Sequence, residues 1–381
     1  MIRIKIKNYQ ILRREYLKRI ADSGAACFDT EDLLNNDANN LKLKTNGKSA
    51  ETLRKLSSGS EYLARIRQLL FKEENETLSV NRKSLQELLA GPEETPRSFG
   101  GRGIDSLLVY YQSINKNFTG LKLEKKDKEV VKSIFSYKTF SRANDKELPY
   151  WLMKELDQKI CPYCNMGYLN VIRGNERSYR AAFDHYFPKS KYPYLAISLF
   201  NLIPACDTCN SNKGEIDKEL VYPYEECFDE AEKRCTIRLI PNAGHPEVWR
   251  GTSDSFNAEF RSINYESHVN PFELMFEFRK AIVQEDKHLE RVFNSIQYLQ
   301  LEYIYTNCHH EDIRRMIQKY YEYNRDGIEM MSNAYHNPII DNKQIRNSLF
   351  FDCLIEEEWS KSPLNKLKHD LLEQLDQLSE E

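Results

Sequence analysis

Two Cys-x-x-Cys pairs constrain the fold of this chain more than any other feature. The first pair is Cys161 and Cys164, and the second is Cys206 and Cys209. Four thiolates in two such short turns are the ligand set of a closed tetrahedral zinc site. A redox Cys-x-x-Cys motif would not explain a second pair, and an iron–sulfur cluster is a further alternative. The spacing therefore favours a structural zinc ion that closes a folded excursion over residues 165–205.

Polar residues of a different kind lie inside and just after this excursion. They are the adjacent Asp184 and His185, then Asn201, and then Asn210 directly after the last cysteine. Carboxylates and carboxamides bind hard divalent cations, and an imidazole beside such an ion can activate water. Adjacent residues of a regular strand point to opposite faces, so the Asp–His pair requires a bend or a site at the strand edge. We therefore expect a structural metal site that frames a catalytic one.

The order of these residues resembles the HNH, or ββα-metal, endonuclease motif over about residues 161–214. The resemblance implies a two-stranded hairpin and a helix that cleave phosphodiester bonds with one divalent ion. It implies that His185 is the general base, with a near-neutral pKa suited to that role. Asp184 would bind Mg²⁺ or Mn²⁺, Asn201 would brace the loop that orients the histidine, and Asn210 would be the last ligand. The chain departs from the motif at Asn210, where the name-giving final histidine is expected.

Each of these polar residues also has a purely structural interpretation. The Asp184–His185 pair could form a hydrogen bond at a strand end, and Asn201 or Asn210 could cap turns. Three lysines near the motif could contact phosphates or could simply be solvated; they are Lys189, Lys191 and Lys213. The nuclease interpretation depends on the four residues occurring in order inside the cysteine frame.

Three weaker candidates lie outside the motif. Cys227 and Cys235 could form a second metal pair, but buried thiols explain them better because no partner lies at ligand spacing. Residues 309–312 (His-His-Glu-Asp) look metal-binding in composition, although acids in a first helical turn explain them equally well. The tyrosines at 320, 321 and 323 could stack on bases, but aromatic residues at helical spacing are more often core.

The periodicity of the chain predicts an α+β, mainly helical protein in three regions. Residues 1–158 form a mainly helical domain that opens with a basic strand at 2–6 and a basic helix at 10–21. Residues 159–225 form the zinc-stabilised HNH module, and residues 226–381 form short strands followed by a helical bundle. Further helices are expected at 50–72, 81–90, 104–114, 127–140, 145–158, 309–334, 342–358 and 363–378. Strands are expected at 168–172, 179–186, 235–240 and 256–263.

Taken together, these features predict a metal-dependent HNH endonuclease that acts on nucleic acid, with DNA as the expected substrate. Its net charge of −3 means that a local basic surface must bind the substrate. The HNH resemblance extends loosely to bacterial antiphage systems of the Septu and retron-associated types, which pair such a subunit with an ATPase. Alternatives are a zinc-stabilised binding module without cleavage and a stand-alone restriction-type nuclease. Scattered unpaired cysteines and the lack of a long apolar run predict a cytoplasmic protein without a membrane segment.

Overall fold

The computed structural model describes residues 1–28, 33–34, 47–57, 59–74, 77–174, 178–229, 235–262, 287–308, 310–322 and 359–380. Within these ranges the protein mixes helix and sheet, with about half of the residues helical. The strands form small antiparallel sheets of two strands each. No helix in the described part of the chain is long and apolar enough to cross a bilayer.

The first region, residues 1–158, is mainly helical in its described part. Its helices are α1 (Tyr9–Ser23), α2 (Lys48–Ser57), α3 (Glu61–Leu70), α4 (Arg82–Ala90), α5 (Leu107–Lys116), α6 (Lys125–Ile134) and α7 (Tyr137–Leu156). A hairpin of β1 (Phe71–Glu74) and β2 (Thr77–Val80) follows α3. Polar side chains begin several of these helices: the Ser136 hydroxyl accepts a hydrogen bond from the Thr139 backbone N–H at the start of α7.

Three elements of this region differ from the prediction. Residues 2–6 form no strand; instead the N–H of Ile2 donates to the carbonyl of Pro162, and the N–H of Ile4 donates to the carbonyl of Pro223. Residues 50–72 contain two helices, because Ser60 begins a second one at Glu61. The helices predicted at 127–140 and 145–158 are instead divided near residue 135, since Ser136 caps the second one.

The central region contains two short sheets and one short helix. Strands β3 (Val171–Arg173) and β4 (Ser178–Arg180) form the first sheet, while β5 (Ala182–His185) and β6 (Leu202–Ala205) form the second. Helix α8 (Asp207–Lys213) follows β6 directly. The strand predicted over 179–186 is therefore two strands with different partners, because the chain leaves the first sheet at Ala181. The order β5–β6–α8 is a strand–strand–helix unit around the candidate residues.

The last region begins with the two predicted strands, β7 (Cys235–Pro241) and β8 (Phe256–Ser262), which pair along their full length. Helices α9 (Lys287–Tyr298), α10 (Leu301–Asn307), α11 (His310–Glu322) and α12 (Asn365–Glu380) follow. The expected helices at 363–378 and at the start of 309–334 are present. The expected helix at 342–358 and the second half of the one at 309–334, from residue 323, lie outside the described residues.

One buried apolar cluster contains residues from all three predicted regions. Helix α1 contributes Tyr16, whose hydroxyl donates to the backbone of Ile197, 2.6 Å away in the central region. Helix α10 contributes Tyr305, whose hydroxyl donates to the carbonyl of Cys164. The flanking helices therefore pack directly on the central unit and fix the loops that carry its polar residues.

Candidate functional site

The four paired cysteines converge on one point. Their Sγ atoms all lie within 4.8 Å of one another, and those of Cys164 and Cys206 are 3.9 Å apart. A tetrahedral ion with Zn–S bonds near 2.3 Å places its sulfurs about 3.8 Å apart, so this donor set fits zinc. Hydrogen bonds from the other thiols, that of Cys161 foremost, lower the pKa of Cys206 and favour the thiolate form. The four-cysteine cluster can therefore hold a metal such as zinc.

Close packing behind the cluster depends on two residues that the sequence analysis did not single out. At Gly167 an added Cβ would lie 2.6 Å from Cβ of Cys206, so any side chain would push the two cysteine pairs apart. Asn165 has a left-handed backbone (φ 53°), and its side chain donates to Trp359 and accepts from the N–H of Lys366. The C-terminal helix therefore buttresses the first cysteine turn. A glycine and an asparagine just after Cys-x-x-Cys are a weak signal of such a turn.

Asp184 lies on β5 and is almost fully buried, at 2 % exposure. Its Oδ2 accepts a 2.7 Å hydrogen bond from the hydroxyl of Tyr163, and the Lys213 ammonium lies 3.1 Å from the same oxygen. Burial raises the pKa of Asp184, while Lys213 and Tyr163 act in the opposite direction. A carboxylate offers about four lone-pair sites, so it retains accepting capacity beyond these two partners. Carboxylate oxygens are suitable ligands for Mg²⁺ or Mn²⁺, and such an ion would bind Asp184 alongside the buried Lys213 ammonium.

His185 follows on the same strand and has a defined tautomer. Its Nε2 lies 2.9 Å from the carbonyl oxygen of Ala196, and since a carbonyl can only accept, Nε2 carries the proton. Nδ1 is then the basic nitrogen. Burial, followed by the charge of Lys189, lowers the pKa of His185 to about 3, so the near-neutral value we expected does not apply to this structure. The imidazole is neutral at physiological pH and can accept a proton.

Asn201 is fully buried and bonds to the segment that follows His185. Its Oδ1 accepts from the N–H of Phe187, and its Nδ2 donates to the carbonyls of Phe187 and Leu195. These three bonds join the two ends of the loop that also supplies Ala196, the acceptor for His185. The carboxamide therefore fixes the backbone that sets the orientation of the imidazole.

We expect Asn201→Ala to lower the free energy of unfolding by about 2 kcal/mol or more. The substitution removes the partner of both the backbone N–H and the backbone carbonyl of the buried Phe187, and each such group costs about 1–3 kcal/mol. Denaturant unfolding of wild type and variant measures the change. Asn242→Ala is the matched control, since that asparagine also forms side-chain hydrogen bonds but at an exposed position. Equal destabilisation by both variants would contradict the bracing role.

Asn210 and Lys213 lie three residues apart on α8, and therefore on one face of that helix. Lys213 is fully buried and also donates to the carbonyl of His185 at 2.6 Å. This burial does not fit the predicted phosphate contact of Lys213, because the ammonium serves Asp184 inside the protein. Asn210 is partly exposed, and in the described part of the chain no hydrogen bond to its side chain is found. Asn210 therefore lies on the face of α8 from which Lys213 reaches Asp184 on β5, and its carboxamide is available to bind a ligand.

The other two predicted lysines differ from each other. Lys191 is exposed and pairs with Asp217. Lys189 lies with its Nζ 4.5 Å from the ring centre of Tyr137, and that ring also meets His185 edge-on with centroids 4.5 Å apart. Burial raises the pKa of Tyr137, and the nearby guanidinium of Arg180 opposes that shift. The phenol of Tyr137 thus lies between the histidine and two nearby cations in this chain of contacts, and neither Tyr137 nor Arg180 carried a signal in the sequence.

The weaker candidates are accounted for by ordinary structure where the structure describes them. Cys227 and Cys235 are buried, as expected for structural thiols. His310 begins α11 and pairs with Asp254 at 3.4 Å, while His309 lies outside the described residues. Tyr320 donates to Asp376 of α12, so it joins two helices, and Tyr321 is exposed. Tyr323 lies outside the described residues.

A second group of potential metal ligands comprises His369, Asp370 and Glu373 on α12. The carboxylate of Asp370 is already bonded to the buried Lys366, 2.6 Å away, and to the backbone N–H of Ile237. This group is therefore an internal ion pair that joins α12 to β7.

Comparison with known proteins gives one partial similarity. A stretch of 65 residues is 34% identical to the Septu protein PtuB of Bacillus thuringiensis. The alignment covers 17% of this chain and 23% of that protein, so it relates one segment of each. No family profile matches the chain. No solved structure matches it either.

Proposed function

We propose that this protein is a metal-dependent endonuclease that hydrolyses phosphodiester bonds of nucleic acid, DNA in the first instance. The observation that carries the proposal is the hydrogen bond from His185 Nε2 to Ala196, which leaves Nδ1 as a neutral base beside Asp184. The order of strand, strand and helix around this pair, with a metal-binding cysteine cluster adjacent, supports the same function. The HNH resemblance of residues 161–214 suggests this reaction class.

In this proposal each residue has a separate task. A divalent ion, when bound, would neutralise charge that develops on the phosphate and on the leaving oxygen. Asp184 and Asn210 would hold that ion with oxygen atoms. His185 would take a proton from the attacking water at Nδ1, and Asn201 would keep the imidazole in place through the Ala196 loop. The four cysteines would hold zinc as scaffold.

A second candidate, a zinc-stabilised binding module without cleavage, is favoured by one observation. The Lys213 ammonium already pairs with Asp184, and this ion pair would stabilise the central unit without any divalent ion. Incubation of supercoiled plasmid with the protein and Mg²⁺ or Mn²⁺ separates the two functions. Nicked or linear plasmid with wild type but not with His185→Ala supports the nuclease. If wild type leaves the plasmid intact with either ion, the binding module is the better description.

The cations around Tyr137 suggest where the substrate backbone lies. Lys189 is exposed and its ammonium lies over the Tyr137 ring that contacts His185, while Arg180 is partly exposed and acts electrostatically on the hydroxyl of the same tyrosine. Cations so placed can bind phosphate oxygens on either side of a scissile bond. Tyr137 comes from the first helical region, so that region would contribute to the substrate surface.

We expect Lys189→Gln and Arg180→Gln each to weaken nucleic-acid binding. Each should also reduce the slope of the logarithm of affinity against the logarithm of salt concentration by about one in magnitude. Fluorescence anisotropy with a labelled duplex in EDTA-free, Ca²⁺-containing buffer at several salt concentrations measures both quantities. Lys122→Gln is the control, because Lys122 is exposed and pairs only loosely with Glu124. An unchanged slope in both test variants would place the substrate elsewhere.

We further propose that the protein acts in an antiphage defence system together with a partner such as an ATPase. The similarity to the Septu protein PtuB supports the defence context. The test is co-purification of this chain with the products of neighbouring open reading frames. Recovery of the chain alone under native conditions would favour a stand-alone nuclease.

A further inference from the structure

Tyr163 lies inside the first cysteine turn, between Cys161 and Cys164, and its side chain leaves that turn for the candidate catalytic strand. The hydroxyl donates to Asp184 Oδ2 over 2.7 Å. Tyr163 itself is completely buried, and Asp184 is nearly so. No solvent can replace this hydrogen bond, so the position of the carboxylate depends on the position of the turn.

The cysteine cluster fixes that turn at both ends. Cys161 and Cys164 flank Tyr163 by two residues and one residue, and both thiols converge on the cluster. Backbone hydrogen bonds from Cys161 to Gly167 and from Asn165 to Cys161 close the turn. The metal-binding cluster and Asp184 are therefore joined by one rigid side chain with a single polar atom at its tip.

Groups that hydrogen-bond a metal-ligating carboxylate fix its orientation, and their loss typically costs about 10–100-fold in metal affinity or activity. Lys213 also bonds Asp184, but it reaches the carboxylate from α8, which begins at the second cysteine pair. Tyr163 is thus the contact through which the first pair acts. This arrangement gives the cysteine cluster a role beyond folding.

We propose that Tyr163 is a positioning residue that couples the four-cysteine cluster to Asp184, so that the divalent ion binds with full affinity only while the cluster holds the 161–164 turn. This inference rests on the proposed function, in which Asp184 is a ligand of that ion. It adds a dependence of the catalytic ion on the structural one, through a residue that belongs to neither ligand set.

The test is Mn²⁺ binding, measured by the loss of the free-ion EPR signal, for zinc-loaded wild type, Tyr163→Phe, Tyr9→Phe and Asp184→Asn. Tyr9 is the matched control, because it is also buried and donates a 2.7 Å hydrogen bond, but to Pro92. We expect Tyr163→Phe to keep its zinc and an unfolding midpoint close to that of Tyr9→Phe. We expect it to bind Mn²⁺ about 10-fold more weakly or worse, with Tyr9→Phe unchanged.

The outcomes are separable. If Asp184→Asn abolishes Mn²⁺ binding and Tyr163→Phe binds like wild type, the coupling is wrong and the ion site stands. If wild type binds no Mn²⁺, or Asp184→Asn binds it equally well, the ion site fails and the coupling fails with it. Loss of zinc from Tyr163→Phe would show a role in the cluster itself and would also overturn the proposal. A further variant carries p-aminophenylalanine at position 163, which restores a donor N–H at the tip of the ring. This variant should recover the Mn²⁺ affinity, and continued weak binding would count against the coupling.

Discussion

Replacing His185 with alanine should lower the rate of plasmid cleavage by about 10²–10⁴-fold, the usual contribution of a positioned general base. The reason is that Nδ1 is the free basic nitrogen, while Nε2 is committed to Ala196. Removal of the imidazole leaves the attacking water without a proton acceptor at that position, although any bound ion remains. Single-turnover nicking of supercoiled plasmid with Mg²⁺ or Mn²⁺ measures the rate.

Two controls keep this result interpretable. His245→Ala removes an exposed imidazole that pairs with Glu247, so it should cleave like wild type. His185→Ala should keep its zinc, while its unfolding midpoint should fall modestly because the Ala196 carbonyl loses its partner. Cleavage is therefore compared at a temperature at which both proteins are folded. Equal cleavage by His185→Ala and wild type would assign the base to another group.

Much of the central unit could be predicted because its signals are local. The thiol spacing predicted a four-cysteine cluster, and the structure brings these sulfurs within 4.8 Å of one another. In the last region, the strands at 235–240 and 256–263 were also predicted from local composition, and they pair with each other. By contrast, Ile2, Ile4 and Ile6 alternate with basic residues but form no strand. Single backbone hydrogen bonds to the central region hold this segment, so the alternation reflects burial alone. Alternation reports which side of a segment is buried but not whether a neighbouring strand is present.

The partners of the candidate residues could not be predicted because they come from distant positions. Tyr163 and Lys213 meet Asp184 across 21 and 29 residues, and Tyr137 reaches His185 from a helix of the first region. Burial then changed the chemistry, since it lowers the pKa of His185 to about 3 and turns Lys213 from a surface cation into an internal one. Motif spacing identifies such residues, but only the packing around them determines their charge.

The second large effect is expected from the cysteine cluster itself. Cys206→Ser should release zinc and unfold the central unit, since structural zinc contributes about 10–16 kcal/mol in zinc-finger peptides and whole domains are stable by only about 5–15 kcal/mol. A serine oxygen is a poor substitute for a thiolate toward this ion. Zinc analysis of the purified protein, together with limited proteolysis, measures both losses.

Cys308→Ser is the matched control, because that thiol is exposed and lies outside the cluster. It should keep zinc and resist proteolysis like wild type. The pattern of proteolysis is informative as well, because Tyr305 and Trp359 bond directly to the first cysteine turn. Unfolding should therefore expose sites in the C-terminal helices along with those near residue 206. If Cys206→Ser were cut only within 159–214, the C-terminal helices would be stable without the cluster. If Cys206→Ser kept its zinc and resisted the protease, the four-thiolate site would be ruled out.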